Sequence, residues 1–439
     1  DIKDAFSITA VTEYFYRELY AIYDEIIKSV MKENKIKDYE KTRDFILLFI
    51  IRTIFLGFIQ KRKWLGGDQK FIQNYLKEYK VKYKGENLFY SRWLNTLFLN
   101  ALSSAPGFKL HLGHSDISKE TLEKLQNAPY LNGGLFKLRE GYDDNNWIIP
   151  DKDVETFFEF LFAHSFTIEE NSPNDEDLEL NPEFLGIIFE RFVNKADGSV
   201  YTPRTEVDLM CRLSLLKWLE KNLGGSIAAK ELYELFFKES EKEEDQKEGS
   251  FSLKEAKEIS GKLENITICD PAVGSGAFLV GMIQVLDEVE LNLSKKTEAS
   301  QNIIYNRKKQ IIRNCLYGVE VKEWAVWICQ LRLWLSLFVD APDELKNSKE
   351  AILPSLDFKV RQGDSLVQRI GSTMFPVAFD SAAGFSQKLR EKIGKLKELK
   401  ADYFDNKRNN YDWSQLKAKE LAIYEEIIAF EIKEIEEEL

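Results

Sequence analysis

The sequence is poor in the residues that build metal centres and covalent staples. It has three histidines and four cysteines in 439 residues. Cys211, Cys269, Cys315 and Cys329 form no Cys-x-x-Cys pair. That speaks against a disulfide framework or a zinc module, and the four read as buried thiols in a reducing cytoplasm. His111-Leu112-Gly113-His114 has no helical glutamate partner and no cysteine nearby, so no metal site is spelled there. Uninterrupted apolar runs are also short. The longest candidate, Phe45 to Ile59, is broken by Arg52-Thr53, and each half falls short of the roughly 20 residues of a membrane span. It is expected to be a buried core helix, and the chain to be cytoplasmic with no membrane partner. The first residues are polar and charged, without the apolar core of a signal peptide. A chain that opens on Asp1 rather than Met reads as a fragment or a processed chain. An excess of positive charge is absent too: the net charge is −12. This excludes a surface coated in basic residues, but a local basic groove remains compatible with nucleic acid.

What is abundant is core-forming material. Hydrophobic residues make up 44% and aromatics 13%, which suits two or three packed domains rather than a disordered chain. Residues 1–170 read as mostly helical. Val11, Tyr14, Phe15, Leu19, Ile22 and Ile26 recur at helical spacing. A second helix runs from about Thr42 and stops at Lys61-Arg62-Lys63-Trp64-Leu65-Gly66-Gly67, with basic residues in the last turn and glycine beyond. Further helices are expected over 68–82, 89–103 and 151–166. Segments 167–180 and 239–249 are acidic and read as solvated loops. Asn181-Pro182-Glu183-Phe184 has the residues of a helix start.

From Ile266 strand-like runs alternate with helices. Ile266–Cys269, Leu316–Val319 and Phe358–Val360 are the strands, and helices start at Ala277 and Glu323. Alternation of this kind implies a doubly wound parallel sheet. The helix to Phe338 is apolar on nearly all sides and is expected to be deeply buried. Residues 385–439 look like a charged helical hairpin or arm.

The chemistry sits at the strand ends. Asp270-Pro271-Ala272-Val273-Gly274-Ser275-Gly276 carries an acid from a strand, through a Gly-x-Gly turn, into a helix. Glycine lets the backbone turn tightly and approach a ligand. The helix amino terminus offers free N–H groups to a carboxylate, and the acid can take an amino group. A dinucleotide fingerprint needs a third glycine and an acid about 20 residues on. Leu279 and the position of Glu320 argue against it. Glu320, at the end of the second strand, suits two ribose hydroxyls. Val321 suits an adenine face, and Asp364 after the third strand suits an adenine amino group. Upstream, Thr202 reads as an N-cap and Pro203 as the first residue of a helix to Leu223.

In order, Tyr201-Thr202-Pro203, Asp-Pro-Ala-x-Gly-Ser-Gly-Ala-Phe at 270–278, Leu316-Tyr317-Gly318-Val319-Glu320 and Gly363-Asp364-Ser365-Leu366 resemble the γ-class adenine-N6 DNA methyltransferases. The likeness is greatest to large single-chain restriction-modification enzymes, type IIG and single-polypeptide type I, and their phage-exclusion relatives. The run Leu48–Leu65, Tyr130–Phe136 and Asn181–Gly186 are similar to further signatures of that family. The resemblance implies a Rossmann-like α/β sheet that binds S-adenosylmethionine and acts on double-stranded DNA. Tyr201, Thr202 and Pro203 would lie beside the methionine end. Asp270, Gly274 and Gly276 would hold its amino and carboxylate groups, within a motif that also includes Pro271, Ala272, Ser275 and Phe278. Glu320 and Val321 would take the ribose and adenine, and Asp364 the adenine amino group. The expected division is a helical spacer over 1–195, a cofactor-binding part over 196–384 and a helical arm over 385–439.

The family's catalytic Asn/Asp-Pro-Pro-Tyr/Phe motif does not follow Asp364. Truncation before it is the expectation, and the chain alone is expected to be inactive. The alternative is a non-catalytic cofactor-binding, DNA-binding or assembly module, completed by other domains or subunits. A methyltransferase acting on RNA or protein is a third reading. Magnesium would enter only with a nuclease domain outside this chain. Glu78-Tyr79-Lys80, with Asp68 before it, has the spelling of such a site but lies in an amphipathic helix. Lys388, Arg390, Lys392, Lys395, Lys397 and Lys400 form a basic stretch that reads first as a solvated helix face and second as a phosphate contact.

Overall fold

A computed structural model describes residues 8–105, 108, 110, 112, 116–131, 134–166, 179–180, 188, 202–237, 251–293, 301–367, 369–370, 373–374, 386–405 and 413–438. The helix α1 (Ile8–Glu33) is followed by α2 (Tyr39–Lys61) and α3 (Phe71–Tyr83). Asp38 caps α2 by accepting from the Lys41 amide at 3.0 Å. The second helix is buried on every side from Phe45 to Gln60. Such a helix must pair any charge it carries. Arg52, fully buried, does so through a bidentate contact with Asp143 at 2.6 and 2.8 Å. Its remaining donors hold the Leu135 and Lys137 carbonyls. The break in the apolar run is therefore the anchor of the 135–143 segment.

Residues 89–103 differ from the expected α-helix. Phe89–Leu94 and Leu97–Ala101 are π-helical, with i→i+5 bonds from Asn95 N to Tyr90 O and from Leu102 N to Leu97 O. The wider turn faces Phe89, Tyr90, Trp93 and Leu94 inward together. The helices α4 (Lys119–Gln126) and α5 (Asp151–Phe162) come next. The expected helix over 151–166 stops short, because β1 (Ser165–Phe166) pairs in parallel with β2 (Glu179–Leu180). The proposed helix start at Asn181 lies outside the described residues.

The second half begins with α6 (Arg204–Leu223), α7 (Ala229–Phe237) and α8 (Leu253–Leu263). Pro203 occupies the cap position rather than the first helical one, with ψ at 153°. No side-chain cap bond forms, so the reading of Thr202 as a hydroxyl cap is corrected. Then follow β3 (Ile268–Asp270), α9 (Ala277–Leu293), α10 (Gln301–Asn314), β4 (Leu316–Glu320), α11 (Glu323–Phe338) and β5 (Val360–Gln362). Among the described residues these three strands form one parallel sheet in the order β3-β4-β5. The third strand starts later than expected, because the Lys359 and Val360 amides are turned onto the Leu356 carbonyl. The short pair β6 (Arg369–Ile370) and β7 (Thr373–Met374) is antiparallel. The chain closes with α12 (Gln387–Phe404) and α13 (Trp413–Glu438), which pack on each other as a hairpin.

One apolar core runs from Phe15 through α2 and α11 to Phe404. The first-half helices and the sheet region are thus packed as one body of hydrophobic side chains. Cys211, Cys315 and Cys329 are buried, but Cys269 is exposed. It lies on β3, an edge strand among the described residues, and corrects the expectation of four buried thiols.

Candidate functional site

The sheet register brings two of the strand-end acids onto one face. Asp270 pairs with Gly318, and Glu320 lies two residues further along the same strand. Residues two apart on a strand share a face. Both carboxylates therefore stand on the same side at the carboxyl edge, where ligands of such sheets bind. Glu320 is already oriented by the turn beside it. Its Oε2 accepts from Gly274 N at 3.0 Å and its Oε1 from Lys322 N at 3.0 Å. Each oxygen has two lone pairs, so one acceptor position on each stays available.

Asp270 is left half satisfied. Its Oδ1 accepts from Ala272 N at 3.1 Å, whereas its Oδ2 is buried with no hydrogen-bond partner among the described residues. Burial pushes its carboxyl above the ordinary range. The Ala272 amide opposes that shift, and the charge of Glu320 adds to it. A buried acceptor without a donor is costly, and a cation or a polar N–H would relieve it.

Between the two acids runs the turn. Gly274 and Gly276 take φ of +51° and +88°, a region that favours glycine. A Cβ at Gly276 would lie 2.6 Å from Cys329 Sγ, so the backbone there rests directly on α11. At Gly274 no described atom lies within 4 Å of that position. The turn thus leans on a buried helix with one glycine and borders open space with the other. Beyond it, the first helical bond of α9 runs from Val280 N to Gly276 O. The amides of Ala277, Phe278 and Leu279 then belong to the first turn, which has no carbonyl partner within the helix itself.

The remaining candidates are distributed around this centre. Val321 is 55% exposed at the rim, and its carbonyl accepts from Gln362 Nε2 at 3.2 Å. Asp364 is exposed, with Oδ1 accepting from Leu366 N at 2.9 Å. Next to it, Ser365 Oγ donates to Pro271 O at 2.5 Å, tying the third strand's loop to the first strand's turn. Pro271 and Ala272 are exposed, and Phe278 is partly buried against the core. Ser275 is buried beneath the turn, where its Oγ accepts from Arg332 Nη1 at 3.0 Å. The helix α6, which Pro203 precedes, packs its Val207 and Cys211 side chains against Gly281 of α9. Tyr201 lies outside the described residues.

Arg332 went unremarked in the sequence, and Cys329 was read there only as a buried thiol. Burial pushes the Cys329 thiol up to about 12, with Arg332 opposing and Asp270 and Glu320 reinforcing the shift. The thiol stays protonated at neutral pH and serves as packing. The available signal was Arg332 itself, a lone cation in an otherwise apolar helix.

Two other readings meet ordinary structural roles. Glu78 accepts from Thr121 Oγ1 at 2.6 Å and also from the Ser118 amide. Lys80 pairs with Glu155, and Asp68 with Lys124. Among the described residues no group of three or more His, Cys, Asp or Glu side chains is placed to hold a metal ion. In the basic stretch, Lys392 pairs with Glu426 and Lys400 with buried Glu420. Glu420 also holds Arg361 of β5, which fastens the hairpin to the sheet. His111 and His114 lie outside the described residues. No described helix is long and apolar enough to cross a membrane.

Comparison with known proteins adds a likeness to this geometry. Residues 240–366 match the model of the MmeI DNA-methyltransferase domain. That stretch contains the Gly-x-Gly turn and all three strand-end acids. Over 342 residues the chain is 28% identical to a putative type II restriction enzyme and methyltransferase, RM.MjaORFECS2P, of Methanocaldococcus jannaschii, which spans 74% of this chain and 27% of that protein. It is 27% identical over 112 residues to the type II restriction enzyme and methyltransferase RM.Eco57I of Escherichia coli, covering 24% of this chain and 11% of that protein. A solved structure of the type IIL restriction-modification enzyme MmeI in complex with DNA aligns with a TM-score of 0.46 and 16% identity, over 80% of this chain and 40% of that one. The chain thus spans about a quarter of the length of the first of these curated relatives, and less of the second.

Proposed function

We propose that this chain carries the cofactor-binding part of a DNA adenine-N6 methyltransferase from a restriction-modification or phage-defence system, with S-adenosylmethionine as methyl donor. The observation that carries the reading is the half-satisfied carboxylate of Asp270, beside Glu320, inside the stretch that matches a DNA-methyltransferase domain. The residues present fit the donor. The orphaned Oδ2 of Asp270 suits its ammonium group. The first-turn amides of α9 suit its carboxylate. The spare acceptor positions of Glu320 suit two ribose hydroxyls, with exposed Val321 against the adenine and Asp364 toward its amino group. Bound there, S-adenosylmethionine supplies a methyl group on a sulfonium, which needs no further activation to be attacked by nitrogen. This chain's part is to hold and orient. The Asn/Asp-Pro-Pro-Tyr/Phe residues that would present an extruded adenine are absent from its 439 residues.

That absence favours one second reading, a non-catalytic binding or assembly module. The sequence of the parent gene beyond codon 439 separates the two: an Asn-Pro-Pro-Tyr motif there supports the enzyme, and a stop codon the module. The cofactor claim is tested by calorimetry with S-adenosylmethionine and S-adenosylhomocysteine. The wild type is expected to bind both and Asp270→Ala to bind neither. Heat-silent titrations of a folded wild type in both cases sink the proposal.

A further inference from the structure

Arg332 is a cation in the interior of α11, 8% exposed, on a helix whose other described side chains are almost all apolar and buried. It reaches the Gly-x-Gly turn from below. Its Nη1 donates to Ser275 Oγ at 3.0 Å and to the Ser275 carbonyl at 3.3 Å. One helical turn earlier, Cys329 is the surface on which Gly276 rests. The peptide between Ser275 and Gly276 is therefore pinned at both ends. Arg332 takes its carbonyl, and the Val273 carbonyl takes its N–H at 2.8 Å.

This pinning has a directional consequence. With that peptide fixed, the amides that follow in the first turn of α9 are held in a constant orientation. The guanidinium also places positive charge directly under the turn. A buried charge acts through a low dielectric and is screened little by salt. Arg332 thus does for the anionic end of a ligand what Asp270 does for a cationic one.

We infer that Arg332 is a positioning residue that makes the turn selective for ligands bearing a carboxylate. The inference rests on the proposed S-adenosylmethionine site and assigns one of its residues a task. It predicts discrimination between two adenosine thioethers, one with an amino-acid tail and one without. S-Adenosylhomocysteine carries the tail and its carboxylate, whereas 5′-methylthioadenosine ends in a methyl group.

The test is calorimetry of both ligands with the whole chain as wild type, Arg332→Met, Arg332→Lys and Ser275→Ala. In Arg332→Met the affinity for S-adenosylhomocysteine is expected to fall by roughly tenfold or more, the scale of one charge-assisted hydrogen bond. The affinity for 5′-methylthioadenosine is expected to stay within about threefold, so the ratio between the ligands collapses. Arg332→Lys keeps the charge and is expected to restore part of that ratio. Ser275→Ala is expected to lower it less than Arg332→Met. Equal weakening of both ligands assigns Arg332 a merely structural role and overturns the inference, as does no change in either. A wild type that binds neither ligand overturns the cofactor site first and this inference with it. Should Arg332→Met fail to fold, Arg332→Lys and Ser275→Ala carry the test: an unchanged ratio in both overturns the inference.

Discussion

Asp143 and Asp270 are both aspartates held against the protein interior, in the helical region and at the sheet edge respectively, and they are treated in opposite ways. The Asp143 side chain has no exposed surface, and both its oxygens are used. Oδ1 accepts from Arg52, and Oδ2 accepts from Arg52 and from the Arg139 amide at 2.8 Å. Asp270 has one oxygen occupied by its own turn and the other orphaned. The first arrangement spends its charge on the fold. The second keeps an acceptor unspent at the carboxyl edge, which is what a binding site requires and a stability site avoids.

The same substitution at the two positions is the sharpest way to break that comparison. Asp143→Asn leaves the Arg52 guanidinium buried without its counter-charge, and a loss of about 3–5 kcal/mol is expected in chemical denaturation. A loss under about 1 kcal/mol would show that the pair is not the anchor described. Asp270→Asn is expected to change stability by no more than about 1 kcal/mol, and in the stabilising direction at neutral pH. The sign follows from burial, which raises the folded carboxyl above its unfolded value. The folded chain then holds a proton over a window in which the unfolded chain has lost it, and stability falls as pH rises through that window. The variant's advantage should disappear below the ordinary aspartate range. Marked destabilisation by Asp270→Asn at pH 7 would make Asp270 a structural residue like Asp143.

A buried lysine gives an effect of similar size. Lys359, 8% exposed, stacks over Tyr317 at 3.9 Å, and burial lowers its ammonium to about 8. Here the unfolded chain binds the extra proton between that value and the ordinary lysine range, so stability rises with pH across it. Lys359→Met is expected to gain on the order of 1 kcal/mol at pH 7, net of the lost ring contact, and to gain less as pH approaches 10. Melting curves of the two proteins across pH 7–10 check the sign, and a constant difference refutes it.

The sequence was readable where a residue's task is local. The helix over 323–338 is apolar on nearly all sides, and its burial follows from that pattern. The strand-turn-helix at 268–277 follows from an apolar run, an acid and two glycines. The π-helical turns at 89–101 were not readable, because they answer to the packing of Phe89, Tyr90 and Trp93 against distant helices. Arg52 and Arg332 share one lesson. Each is a lone cation within a buried, mostly apolar stretch of helix, and the sequence shows that such a charge needs partners without showing which. The partners lie 91 and 57 residues away, at Asp143 and Ser275.

By itself the sequence determined the alternation of strand and helix after Ile266, the identity of the three strand-end acids and the glycines that let the turn form. These are consequences of side-chain period and of steric freedom at single residues. Only the tertiary structure decided which acids share a face, because that depends on strand register. It also decided that Glu320 is oriented by a backbone amide of the neighbouring turn, that one Asp270 oxygen goes unpaired, and that an arginine from a buried helix supports the turn from beneath. Each of those depends on groups far apart in the chain being pressed together by one hydrophobic core, and no local pattern records that.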